Sequence, residues 1–177
     1  MSKRIIVFID SGDTIIDEGT EIRDENDIVQ SADVIEGADQ LLRTLMADGY
    51  RVAMVADGYA QSFYNMYMGL GLLDCFEHLI FSSDVGEHKP HPKMFETALE
   101  KMGLTHEDCK KIVMVGNNLE RDIAGANGMG MTSVLLDWSP RYRMTSTRDI
   151  EIPDYIIHTP LELLKLLQDM ERRDGSV

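Results

Sequence analysis

The sequence predicts an α/β chain with a doubly wound, mostly parallel sheet covered by helices on both faces. Three observations predict it. Ile5-Ile6-Val7-Phe8-Ile9 is an unbroken, β-branched apolar run, as expected of a strand buried on both sides. Similar runs alternate with segments of helical periodicity, the pattern of parallel strands joined by crossover helices. A polar residue then interrupts the C-terminal end of several runs: Asp10, Asp57, Asn117 and Asp137. In open parallel sheets that edge is where ligands bind.

The elements follow in order. After the first strand, residues 17–33 are acidic and show little periodicity. "EGADQLLRTLMADG" then repeats Leu41, Leu42, Leu45 and Met46 at helical spacing, with Gly49 as its stop. "RVAMVADG" is a second buried strand, and residues 59–70 a helix with Phe63, Met66, Tyr67 and Leu70 on one face. "HLIFSS" is a third strand. "HPKMFETALEKMG" is a helix with Pro92 in its first turn and Gly103 past its end. "KIVMVGN" is a fourth strand, followed by a helix to about Gly130. "TSVLL" and "DYIIH" are the fifth and sixth strands, and "TPLELLKLLQDM" a closing helix with Thr159 as N-cap and Pro160 behind it. With no repeat, low-complexity tract or linker, residues 1–177 are expected to form a single domain.

The chain has 177 residues and a formal net charge of −14. Such acidity disfavours binding to nucleic acid or an anionic membrane, so neither is expected as a partner. The N-terminal apolar run is too short for a signal peptide or a membrane span, and a cytoplasmic location is expected. Cys75 and Cys109 stand in unrelated contexts and are expected to be free buried thiols. The twelve methionines are spread along the chain, as core fillers are.

The acids at the strand ends have a bland reading as turn residues, because Asp, Ser and Gly are common where a chain leaves a sheet. Their order argues for more. "FIDSGDT", "VAMVADG", "GEHKPHPKMF" and "VMVGNNLERDIAGANGMGM" resemble the four ordered motifs of the haloacid dehalogenase superfamily, whose members are mainly magnesium-dependent phosphatases. The resemblance runs from about Val7 to Leu136, and "PDYIIHTPLELLKLL" is similar to that family's usual ending. It implies a Rossmann-like core. It also implies an aspartyl-phosphate intermediate on a small or medium phosphorylated substrate. That chemistry needs a carboxylate nucleophile, a divalent cation and a fixed ammonium. By resemblance Asp10 is the nucleophile and Lys89 the ammonium, with Thr14 and the Ala56-Asp57-Gly58 turn binding phosphate. Asp10, the Gly12 carbonyl, Asn117 and Asp122 would hold Mg2+.

Three departures from the family pattern stand beside these matches. Gly12 occupies the place of the usual general acid and base, so Asp13 is the nearest catalytic replacement. Ala56 replaces a hydroxyl donor, leaving the amides of Asp57 and Gly58. Asn117 replaces a metal-binding carboxylate, which lowers the expected affinity for magnesium. These three changes are also what a degraded binding or regulatory relative would carry. A metal-independent dehalogenase is a further alternative, although Asp122 in "GNNLERDIAGA" is more similar to the metal-using branch.

The resemblance further implies a member with no large cap domain. The gap from Asp17 to Glu36 is too short for one, and residues 83–91 read as a plain loop. An open site would suit a bulky substrate, or closure by a neighbouring subunit of a homo-oligomer. Arg141, Arg143 and Arg148 in "DWSPRYRMTSTR" are candidates for gathering an anionic substrate. "YAQSFYNMYMG" reads mainly as core, and His88 and His91 as loop residues.

Overall fold

The computed structural model describes residues 3–174; residues 1–2 and 175–177 of the expected domain lie outside the described residues. Its centre is a six-stranded sheet of β1 (Ile6–Ile9), β4 (Arg51–Ala56), β5 (His78–Phe81), β6 (Ile112–Gly116), β7 (Thr132–Leu136) and β8 (Tyr155–Ile157). The spatial order is β5-β4-β1-β6-β7-β8, and every neighbouring pair is parallel. The chain winds outward from β1 through β4 to β5, then returns to the other side of β1 for β6, β7 and β8. The switch point therefore lies at β1. In register, Ile9 sits beside Met54 and Val115, so the residues after β1, β4 and β6 emerge together at one edge.

The unbroken apolar run of β1 has the physical cause that the sequence indicates. Val7 and Ile9 face a core built with α1 (Ala38–Ala47), α2 (Ala60–Leu70) and α6 (Glu162–Asp174). Ile6 and Phe8 face a second core, built with α4 (Pro92–Lys101) and α5 (Ala124–Met129). At about 25 cal/mol per Å² of apolar surface, burial on both faces is the main stabilising contribution.

Two details differ from the sequence reading. The acidic segment contains a small antiparallel hairpin, β2 (Ile22–Arg23) and β3 (Val29–Ser31). It is docked on α2: the Ser62 hydroxyl accepts from the Val29 N–H at 3.0 Å, and Asn65 Nδ2 donates to the Val29 carbonyl at 2.9 Å. The strand at "HLIFSS" stops at Phe81, because Ser82–Val85 turn into a single helical turn, α3. Among the described residues nothing larger than the hairpin stands between the first strand and α1, so the fold has no large cap. Cys75 and Cys109 are buried and free.

Candidate active site

A pocket of about 290 Å³ opens at the C-terminal edge of the sheet, over the switch point. Its floor is Asp10, Gly12, Lys89, Asn117 and Asp122. Its walls come from the hairpin, through Glu21, Arg23 and Val29, and from α2, through Phe63 and Met66.

Lys89 organises the floor. Its Nζ donates to Asp10 Oδ1 at 2.8 Å, to Asp122 Oδ1 at 2.6 Å and to the Val55 carbonyl at 2.7 Å. All three ammonium protons are thereby used in a side chain that is 1% exposed. Burial alone would lower the lysine pKa, but the charges of Asp10 and Asp122 outweigh it and hold the ammonium above its ordinary value. Burial and the nearby Asp10 charge push Asp122 the opposite way, above the usual carboxylate range, against the pull of Lys89. The loop carrying Lys89 is fixed by Asp57, whose Oδ1 accepts from the Lys89 N–H at 3.0 Å.

Asp122 reaches the floor because the chain after β6 folds back tightly through a wide helical turn, Leu119–Ile123. Asn118 caps that turn, its side chain accepting from the N–H groups of Glu120 and Arg121. A Cβ at Gly116 would lie 2.2 Å from Asp122 Oδ2, so this close approach requires glycine.

Other sequence-predicted residues take different roles. Asp13 is buried and does not line the pocket. Its oxygens accept from Arg141 Nε at 2.8 Å and Nη2 at 3.2 Å. A carboxylate so committed to a guanidinium is badly placed to carry protons for a substrate. Thr14 is also buried, and its hydroxyl donates to the Gly12 carbonyl at 3.4 Å, bracing the loop instead of lining the pocket. Ala56 ends β4 without a side-chain donor, and the Gly58 N–H is taken by Ser82 Oγ at 2.8 Å. The Asp57 amide is the remaining candidate in that turn. Arg143 and Arg148 are turned toward Glu151 and do not line the pocket. Arg121 stands at the pocket in their stead, 3.6 Å from Asp57.

The sequence reading missed Glu18 and Tyr142, both of which line the pocket. Tyr142 donates to Glu18 Oε2 at 2.9 Å. Burial raises the Glu18 pKa, the Tyr142 hydrogen bond opposes this, and the charges of Asp13 and Asp10 add to the rise. No spacing rule finds such a pair, because their positions are brought together only by the loop after β7.

The floor also has the donors expected for a hard cation: carboxylate oxygens of Asp10 and Asp122, the Gly12 carbonyl and the Asn117 side-chain oxygen. Asn117 is buried, with its Nδ2 lacking a hydrogen-bond partner. Only two of the four donors are acids, and no group of three or more His, Cys, Asp or Glu that could hold a metal occurs among the described residues. The set fits Mg2+ in chemistry, with less charge than a carboxylate at position 117 would bring.

A haloacid dehalogenase-like hydrolase family model matches residues 3–130. The chain belongs to that family. Among hydrolases of known name it is similar to the glyceraldehyde 3-phosphate phosphatase of Pyrococcus furiosus, 34% identical over 142 residues, covering 80% of this chain and 56% of that protein. It is similar also to the phosphoglycolate phosphatase of Nitrosococcus oceani, 30% identical over 131 residues, covering 74% of this chain and 56% of that one. The chain thus spans little more than half the length of these curated relatives. A crystal structure of a HAD phosphatase from Thermococcus onnurineus superposes with a TM-score of 0.71 at 23% identity, covering 92% of this chain and 97% of that one. That likeness supports the fold, at matching length.

Proposed function

We propose that this chain is a cytoplasmic phosphatase that cleaves phosphate esters of small or medium molecules, with Asp10 as nucleophile. The observation that carries the proposal is the buried Lys89 ammonium, bonded at once to Asp10 and Asp122 on the floor of the pocket. The phosphatase names of the relatives support it, and point to substrates as small as glyceraldehyde 3-phosphate or phosphoglycolate. The acidic surface makes nucleic acid an unfavourable partner. Among the described residues no helix is long and apolar enough to cross a membrane.

In this reading the Asp10 carboxylate forms a bond to phosphorus as the bond to the leaving oxygen breaks. Water then attacks the phosphorus and frees Asp10. Lys89 holds Asp10 in line and offsets negative charge. Asp57 keeps Lys89 in place, and its own amide is the donor that the second motif supplies. Asp10, the Gly12 carbonyl, Asn117 and Asp122 would hold Mg2+, which when bound neutralises phosphate charge. The presence of the acid Asp122 favours phosphoryl transfer over metal-free carbon–halogen hydrolysis.

The test is a magnesium-dependent assay on aryl phosphate, glyceraldehyde 3-phosphate and phosphoglycolate, run beside Asp10→Asn. Turnover in the wild type alone is expected. Wild-type rates no higher than those of Asp10→Asn with any divalent metal would overturn the proposal and favour a binding or regulatory protein.

A further inference from the structure

Breaking an ester of an ordinary alcohol expels a strongly basic oxygen, and a pocket that does so needs a group to protonate it. Five carboxyls line this pocket. Asp10 and Asp122 are bound to Lys89. Glu21 is paired with Arg23, and Asp57 lies between His88 and Arg121. Glu18 alone has no ion pair with a cation among the described residues; its side-chain partner is the neutral Tyr142 hydroxyl. Glu18 also lies beside the nucleophile's loop. A Cβ placed on Gly12 would meet Glu18 Oε1 at 2.1 Å and Cδ at 2.9 Å. The head of Glu18 therefore fills the space that a side chain two residues after Asp10 would occupy. It reaches that space from the short helical turn Glu18–Thr20, capped by Asp17.

We propose that Glu18 is the proton-transferring catalytic residue of this site, standing in space where position 12 has no side chain. This rests on the phosphatase reading above. In the first step the Glu18 carboxyl gives its proton to the leaving oxygen while Asp10 bonds to phosphorus, yielding the alcohol, the aspartyl phosphate and a Glu18 carboxylate. In the second step that carboxylate takes a proton from water as the water oxygen bonds to phosphorus and the Asp10–phosphate bond breaks. Phosphate leaves, and both carboxyls return to their starting states. Glycine at position 12 is then a requirement: any side chain there would displace Glu18.

The test compares nitrophenyl phosphate, whose leaving group needs no proton, with an alkyl phosphate, whose leaving group does. Glu18→Gln keeps the shape and the Tyr142 hydrogen bond. It is expected to lose roughly 10²–10⁴-fold on the alkyl ester and far less on the nitrophenyl ester, which also reports that the variant is folded. Gly12→Asp alone is expected to be impaired on both esters, and Gly12→Asp combined with Glu18→Ala to regain alkyl ester cleavage. Equal losses on the two esters in Glu18→Gln, or no loss on either, would overturn the role of Glu18 and leave the phosphatase reading standing. A wild type that cleaves neither ester faster than Asp10→Asn would overturn both.

Discussion

Replacing Lys89 by methionine removes the charge on which the candidate site is built, while keeping most of the side chain's volume. The Nζ contacts at 2.8 Å and 2.6 Å join an ammonium 1% exposed to carboxylates 13% and 0% exposed. At an effective dielectric of about 20, each contact is worth about 6 kcal/mol before desolvation. Desolvation takes back most of that in the intact network. In the variant the cost of burying Asp122 remains, and the compensation is gone. Loss of one partner of a buried ion pair costs about 3–5 kcal/mol, and the Val55 carbonyl also loses a donor, worth about 1 kcal/mol. The expected destabilisation is therefore about 4–6 kcal/mol, a large share of a stability of typically about 5–15 kcal/mol. Urea unfolding followed by circular dichroism in slightly alkaline buffer measures it. Adding Asp122→Asn to Lys89→Met should recover at least ~1 kcal/mol relative to the sum of the single effects. A Lys89→Met cost below ~1 kcal/mol, or strict additivity in the double variant, would refute the reasoning.

Three other outcomes follow from the geometry. Gly116→Ala places a methyl group 2.2 Å from Asp122 Oδ2. It should cost about 1–3 kcal/mol in urea unfolding, with a loss of phosphatase activity that Ala at Gly69, which has open space around it, does not reproduce. Asp13→Asn weakens the buried contact to Arg141 and should lower the melting temperature, while its preference between nitrophenyl and alkyl phosphate stays that of the wild type; a selective alkyl ester defect would return Asp13 to the chemistry. Glu151 is held at a pKa of about 2, below its ordinary 4.5, chiefly by the Thr147 N–H, with Arg148 and Arg143 adding to it. A depressed acid stabilises the fold above its unfolded pKa and loses that contribution as pH falls through the folded one. The wild-type melting temperature should thus fall more steeply than that of Glu151→Gln between pH 4.5 and 2, and parallel curves would contradict this.

What the sequence made readable is what local pattern determines. β1, β4 and β6 are legible because strands buried on both faces must be continuously apolar, and the acids and amides that end them mark the ligand edge. Asp10, Lys89, Asn117 and Asp122 meet in one pocket as their motifs imply. The hairpin was not readable, because strands of two and three residues in an acidic segment are held by Ser62 and Asn65, more than thirty positions away. The exchange between Asp13 and Glu18 was hidden for a similar reason. Adjacency to Gly12 favours Asp13 in sequence, whereas in the fold Arg141, brought in by the loop after β7, is ion-paired with Asp13, and it is Glu18 that lines the pocket. The arginines of that loop illustrate the same limit: charge composition suggests substrate binding, whereas in the fold they are ion-paired with Asp13, Asp17, Glu120 and Glu151.

The proposed chemistry turns on a covalent step at Asp10, and trapping that intermediate is the most direct measurement. The enzyme is mixed with magnesium and a fast-reacting phosphate ester, quenched in acid and reduced with borohydride, which converts an aspartyl phosphate to homoserine. Peptide mass spectrometry should find homoserine at position 10 in the wild type and none in Asp10→Asn. Substrate turnover with unmodified Asp10, or homoserine at another acid of the pocket, would contradict the account.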